Sequence, residues 1–140
     1  MSRRRARKQA FLALYQGDVT ETPMEAVLER WLSYRGDLEE YALALVRGVE
    51  GEMEYLDSVL SAVSEGWPVP RMSAVDRTIL RVGLYEMLCV GDVPPEVAVN
   101  EAIELAKGFS GEESPAFVGG VLRGAESRVL GEHRGKVGHG

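Results

Sequence analysis

Five of the chain's 16 basic residues fall within its first eight positions: Arg3, Arg4, Arg5, Arg7 and Lys8. No acid stands among them, although the whole chain carries a formal net charge of -6. On a helix, Arg3 with Arg7 and Arg4 with Lys8 are pairs four apart, so the block forms a basic strip about two turns long. Arginine predominates, which suits bidentate contact to phosphate and stacking on bases. Cations at a helix start oppose the helix dipole, at about 0.3–1 kcal/mol for each close charge before screening. Two readings follow: a localised polyanion contact, or a solvated terminus. No helix-turn-helix or zinc-finger pattern accompanies the block, so single-stranded RNA is a better match than a DNA major groove.

Other chemistry is sparse. Cys89 is the one cysteine and lies in an apolar stretch, so a buried free thiol is expected. His133 and His139 sit in the last eight residues, away from any partner for catalysis or metal binding. Glu101 and Glu104 share a helix face, but a di-metal centre needs Glu-x-x-His pairs that this chain lacks, and salt-bridged or solvated carboxylates are expected. There is no glycine-rich phosphate loop. Gly119-Gly120 falls inside a helix, as close helix packing or as a bare face for a ligand beside Phe117. No catalytic residue, metal or cofactor is expected.

These residues need helices to hold them. The chain has 140 residues, 45% of them hydrophobic, enough for a core without disulfides. Six main helices are expected and no strands, an all-α fold of two packed helical sub-bundles. The first helix runs from about residue 3 to 16 and stops at Gly17. Thr22 caps a second, with Pro23 at its first position. Arg35-Gly36-Asp37 is a turn whose Asp37 caps a long third helix over about 38–64, interrupted at modest cost by Gly48 and Gly51. Gly66-Trp67-Pro68-Val69-Pro70 breaks the chain, and Trp67 and Val69 are expected to pack that joint. The fourth helix begins after Ser73, with Asp76 as its capping-box-like partner, and its apolar residues point all round, as a central helix requires. The fifth spans about 96–107. The sixth begins at Ser114-Pro115 and runs to about 130. The division is therefore 1–66 for the N-terminal sub-bundle, 67–130 for the C-terminal one, and 131–140 for a disordered tail. No apolar run approaches the roughly 18 residues of a membrane span, no secretory signal follows the basic start, and a cytoplasmic place is expected.

Four stretches share a pattern: RRRARKQAFLALYQ at 3–16, WPVPRMSAVDRTILRVGLYEM at 67–87, DVPPEVAVNEAIELAKGF at 92–109 and ESPAFVGGVL at 113–122. In this order and spacing the chain resembles the NusB family of bacterial transcription antitermination factors. The resemblance implies two helical sub-bundles and a non-enzymatic role. It implies binding of boxA RNA in ribosomal RNA leaders, together with the ribosomal protein NusE, within a complex of NusA, NusG and RNA polymerase. It also implies RNA contact by Arg3, Arg4, Arg5, Arg7, Lys8, Glu113 and Phe117, and NusE contact by Tyr15 and Asp76. Gly119 stands where the family commonly has asparagine, so one polar contact is missing. NusB-like domains also begin some ribosomal RNA cytosine methyltransferases, and a chain ending at Gly140 is expected to lack their catalytic part. Exposed apolar helix faces suit either a partner or a homodimer.

For Phe117 the residues allow rim packing or a base-stacking platform. The carboxylate of Glu113 beside it would repel phosphate and moderate affinity.

Overall fold

The computed structural model describes residues 2–64 and 66–131. Among them it has seven α-helices and no strand: α1 (Arg3–Thr20), α2 (Met24–Tyr34), α3 (Glu40–Gly51), α4 (Met53–Val63), α5 (Ala74–Cys89), α6 (Pro95–Phe109) and α7 (Ser114–Ala125). A 3-10 turn at Val69–Arg71 precedes α5, and a π-helical turn at Glu126–Leu130 extends α7. The expected disordered tail lies outside the described residues apart from Gly131, and so do both histidines.

The extra helix comes from the stretch expected as one long rod. It divides at Glu52, whose N–H still reaches the Gly48 carbonyl at 3.0 Å. Gly48 is more than an interruption. A Cβ there would stand 2.0 Å from the Tyr85 ring, so the glycine lets α3 lie against α5.

Gly17 is likewise not a stop. It is buried inside α1, and a Cβ would meet the Met24 methyl at 2.8 Å. The helix ends at Glu21, which adopts the left-handed conformation with φ 52°. Thr22 does not cap α2; its hydroxyl pairs with that of Thr20 at 2.7 Å, and Pro23 occupies the cap position. Nor does Asp37 cap α3. Its carbonyl accepts from Trp31 Nε1 at 3.0 Å and Gln9 Nε2 at 3.3 Å, while Gln9 Oε1 accepts from the Glu39 N–H. One buried amide from α1 thus satisfies the loop that no side-chain cap serves.

α5 is the central element, as its apolar periphery required. It packs against α1, α3, α4, α6 and α7, with Ile79, Leu80 and Leu84 wholly buried. Ser73 caps it, accepting from the Asp76 N–H at 3.1 Å. The core is one continuous cluster drawn from all seven helices, including Phe11 of α1, Leu45 of α3, Leu56 of α4 and Leu122 of α7. Val69 joins it, but Trp67 does not: its indole is 52% exposed, so only half of the expected joint packing forms. Gly119 faces Ile103 closely, since a Cβ there would lie 3.0 Å from its side chain, which is the helix-packing reading; Gly120 faces open space. Cys89 is exposed, not buried as expected, because it is the last residue of α5. Partial burial and the nearby Glu52 carboxylate raise its pKa, so it stays a thiol at neutral pH. No described helix is long and apolar enough to cross a membrane.

Candidate nucleic-acid interface

The Ser2 hydroxyl caps α1 by accepting from the Arg5 N–H, so the basic block is helical from its first residue. The strip is not uniform. Arg3, Arg4, Arg5 and Lys8 are exposed, whereas Arg7 is buried.

The exposed arginines are each met by a carboxylate from elsewhere in the chain. Arg3 grips Asp92 with two nitrogens at 3.0 and 3.2 Å and lies 4.3 Å over the Tyr41 ring. Arg4 makes a two-pronged bond to Glu101 at 2.8 and 3.2 Å. Arg5 reaches Glu39 at 3.4 Å. Lys8 has no ion pair among the described residues. Exposed pairs of this kind contribute about 0–1 kcal/mol each, so a phosphate can replace the carboxylate at small cost.

Arg7 turns inward. Its Nε lies 2.7 and 2.9 Å from the two Glu86 oxygens, and its Nη1 reaches Glu101 at 3.0 Å. Tyr41 donates its hydroxyl to Glu86 at 2.5 Å. Four helices, α1, α3, α5 and α6, therefore meet at one charged cluster. Burial works against the Arg7 charge, but the hydrogen bond and field of Glu86 and the field of Glu101 leave its pKa raised. Burial also pushes the Tyr41 hydroxyl up, helped by its bond to Glu86, so it stays a donor. At 6% exposure Arg7 ties the strip to the core and shows only an edge to the groove beside it, so the five cations of the strip are not equally exposed.

A groove of α1 and α6 runs beside the strip, with Arg4, Arg7, Lys8, Glu101, Glu104 and Phe109 among its lining. A second groove, about 340 Å³, is lined by Trp67, Asp76, Glu113, Ser114 and Phe117. The Ser110 hydroxyl bridges its wall, donating to Asp76 at 3.4 Å and lying 2.6 Å from the Ser114 hydroxyl. So Asp76, Glu113 and Phe117 share one cleft. Tyr15 is half-buried outside that lining. It stacks on Phe11 at 5.8 Å between centroids, and Phe11 meets Phe109 at 4.9 Å.

Sequence alone missed Trp67 as a groove wall and Glu86, Tyr41 and Asp92 as partners of the arginines. Glu86 had a signal: an acid in the apolar second half of a central helix, between Leu84 and Met87, needs a partner if it is buried. Its partner had none, because Arg7 lies 79 positions away.

Among the described residues no cluster of His, Cys, Asp and Glu could hold a metal. Fold and surface together define a small all-helical binding protein with a cationic helix face and an aromatic cleft. The chain belongs to the NusB family, whose model matches residues 4–127. It is 71% identical over 140 residues to the transcription antitermination protein NusB of Rubrobacter xylanophilus, covering 100% of this chain and 98% of that one. It is 43% identical to the protein of that name from Kineococcus radiotolerans, covering 86% and 90%. T. maritima NusB superposes with a TM-score of 0.81 at 38% identity, over 90% of this chain and 92% of that one. A further solved structure, described as antitermination factors NusB and NusE in complex with double-stranded RNA, matches with TM-score 0.80 at 26% identity, over 91% and 99%.

Proposed function

We propose that the protein is a transcription antitermination factor that binds the boxA element of ribosomal RNA leaders together with NusE. It acts without catalysis, in the cytoplasm, in a complex with NusA, NusG and RNA polymerase. The observation that carries the reading is the capped, solvent-facing row Arg3, Arg4, Arg5 and Lys8 on an otherwise acidic chain. Family membership and the NusB–NusE–RNA relative support it.

On this reading the RNA backbone lies along α1, and a base stacks on Phe117 in the second cleft beside Glu113. Arg7 contributes by fixing α1. NusE sits against Tyr15 and Asp76. The N-terminal sub-bundle comprises 1–66 and the C-terminal one 67–130, joined by the shared core. Self-association without the partner is a further element, supported by the exposed Leu32 and Tyr34 of α2. The test is a binding titration of a boxA-type single-stranded RNA, alone and with NusE. Tighter binding with NusE supports the reading, and no RNA binding in either case rejects it.

A further inference from the structure

The three exposed arginines of the strip could all have faced water. Instead each is met by a carboxylate from a distant part of the chain: Asp92, Glu101 and Glu39. Glu101 differs from the other two in how it is held. Its side chain is 12% exposed, much like Glu39 at 11%, but Glu101 Oε1 also takes a hydrogen bond from buried Arg7 at 3.0 Å, and both of its oxygens face the Arg4 fork. Arg4 itself is 71% exposed. A carboxylate presenting two oxygens to a guanidinium occupies the edge that a phosphate would use.

We propose that Glu101 is an affinity-setting residue of the RNA site, a fixed carboxylate that occupies the phosphate-binding edge of Arg4 and that Arg4 must leave before RNA can take its place. The proposal rests on the assignment of the α1 face to RNA. Arg7 anchors Glu101, so when a phosphate arrives Arg4 swings outward and the acid remains. The carboxylate then lies near the RNA backbone and cancels part of the positive charge the strip brings. Asp92 does the same for Arg3 from an exposed position, 69% open to solvent. A phosphate carries no sequence information, so the penalty falls on every RNA alike.

The experiment is fluorescence anisotropy of the full chain with two probes, a boxA-type single-stranded RNA and a scrambled RNA of equal length, across a series of salt concentrations. Glu101→Gln keeps an amide oxygen for Arg7 and removes the charge. It is expected to tighten both RNAs by a similar factor, roughly two- to fivefold, the range that exposed ion pairs span. It should also steepen the fall of log K with log salt by up to about 0.7, one additional net charge on a single strand. Asp92→Asn, which touches nothing buried, should act in the same direction and keeps the test valid if Glu101→Gln loses stability. Weaker binding of both RNAs by both variants would make the acids positioning groups and overturn the proposal. A change confined to the boxA probe would make Glu101 a base-reading residue and overturn it too. Arg4→Ala separates the two levels of the argument. If it weakens RNA binding while both acid variants bind as wild type, the proposal fails and the RNA face stands. If the wild-type protein binds neither probe, both fail.

Discussion

The Arg7 guanidinium and the Glu86 carboxylate meet at 2.7 Å with side chains only 7% and 1% exposed, pinning the basic end of α1 to the last turn of α5. Removing one partner of such a pair leaves an unmatched buried charge, which costs about 3–5 kcal/mol. Glu86→Ala should therefore lower stability by that amount in urea titration. Tyr41→Phe deletes one hydrogen bond to a charged group and should cost about 1.5–3 kcal/mol. A Glu86→Ala protein as stable as wild type would mean that Arg7 finds water and that the cluster does not anchor α1.

Glu101 gives the same corner a pH dependence. The hydrogen bond from Arg4 holds its carboxyl below the ordinary 4.5, burial opposing, with the charges of Arg4 and Arg7 adding to the lowering. A group whose folded value is depressed stabilises the fold above its unfolded value and loses that contribution as pH falls through the folded one. Wild type should accordingly melt above Glu101→Gln at neutral pH. The two melting temperatures should converge on acidification below about 4.5. A constant gap down to the lowest workable pH would show that the charge of Glu101 does not contribute to stability.

How far the sequence reveals this molecule differs between elements. α5 and α6 could be read within a few residues because their apolar positions repeat with the helical period and Ser73 and Pro95 mark their starts. Glycine misled where its neighbour in space mattered more than its neighbours in the chain. Gly17 reads as a stop in the sequence and is a contact for Met24; Gly48 reads as a weak point and is the seat of Tyr85. Caps failed where the loop is satisfied from a distance, as Gln9 serves Asp37 and Glu39. In the site, spacing placed the cations on one strip but could not divide buried Arg7 from exposed Arg4, since that depends on acids contributed by α5 and α6.

Gly48→Ala tests the spatial role of that glycine. A methyl there overlaps the Tyr85 ring, and overpacking of this kind costs about 1–3 kcal/mol. Chemical denaturation should register that loss. A neutral or stabilising effect, as helix propensity alone predicts, would mean that the α3–α5 contact yields easily.

Asp76→Lys is expected to weaken NusE binding while the thermal melt stays near wild type. The cap of α5 is the Ser73 hydroxyl accepting from the Asp76 backbone, which the substitution leaves intact. Ser73→Ala should show the opposite pattern, losing about 1 kcal/mol of stability. A melt lowered in parallel with partner binding in Asp76→Lys would mark its carboxylate, bonded to Ser110, as structural.

Phe117→Ala should weaken boxA RNA binding by about 1–3 kcal/mol, the value of one stacked base, and leave the salt dependence unchanged because stacking releases no counterions. Glu113→Gln should tighten binding, most clearly at low salt. Loss of fold on Phe117→Ala, with no effect of Glu113→Gln, would confine the RNA to α1.

The most direct test of the RNA assignment is the salt dependence of boxA RNA affinity for wild type and an Arg4→Ala, Lys8→Ala double variant. Both side chains are exposed on the α1–α6 groove; Lys8 has no ion pair among the described residues, and Arg4 touches the buried cluster only through its bonds to Glu101, while Arg7 and Glu86 keep their own pair. If α1 carries the phosphate contacts, the double variant binds more weakly and its log K falls less steeply with log salt, by about 0.7 to 1.4. An unchanged slope, with the variant as stable as wild type, would place the RNA on another face and contradict the account.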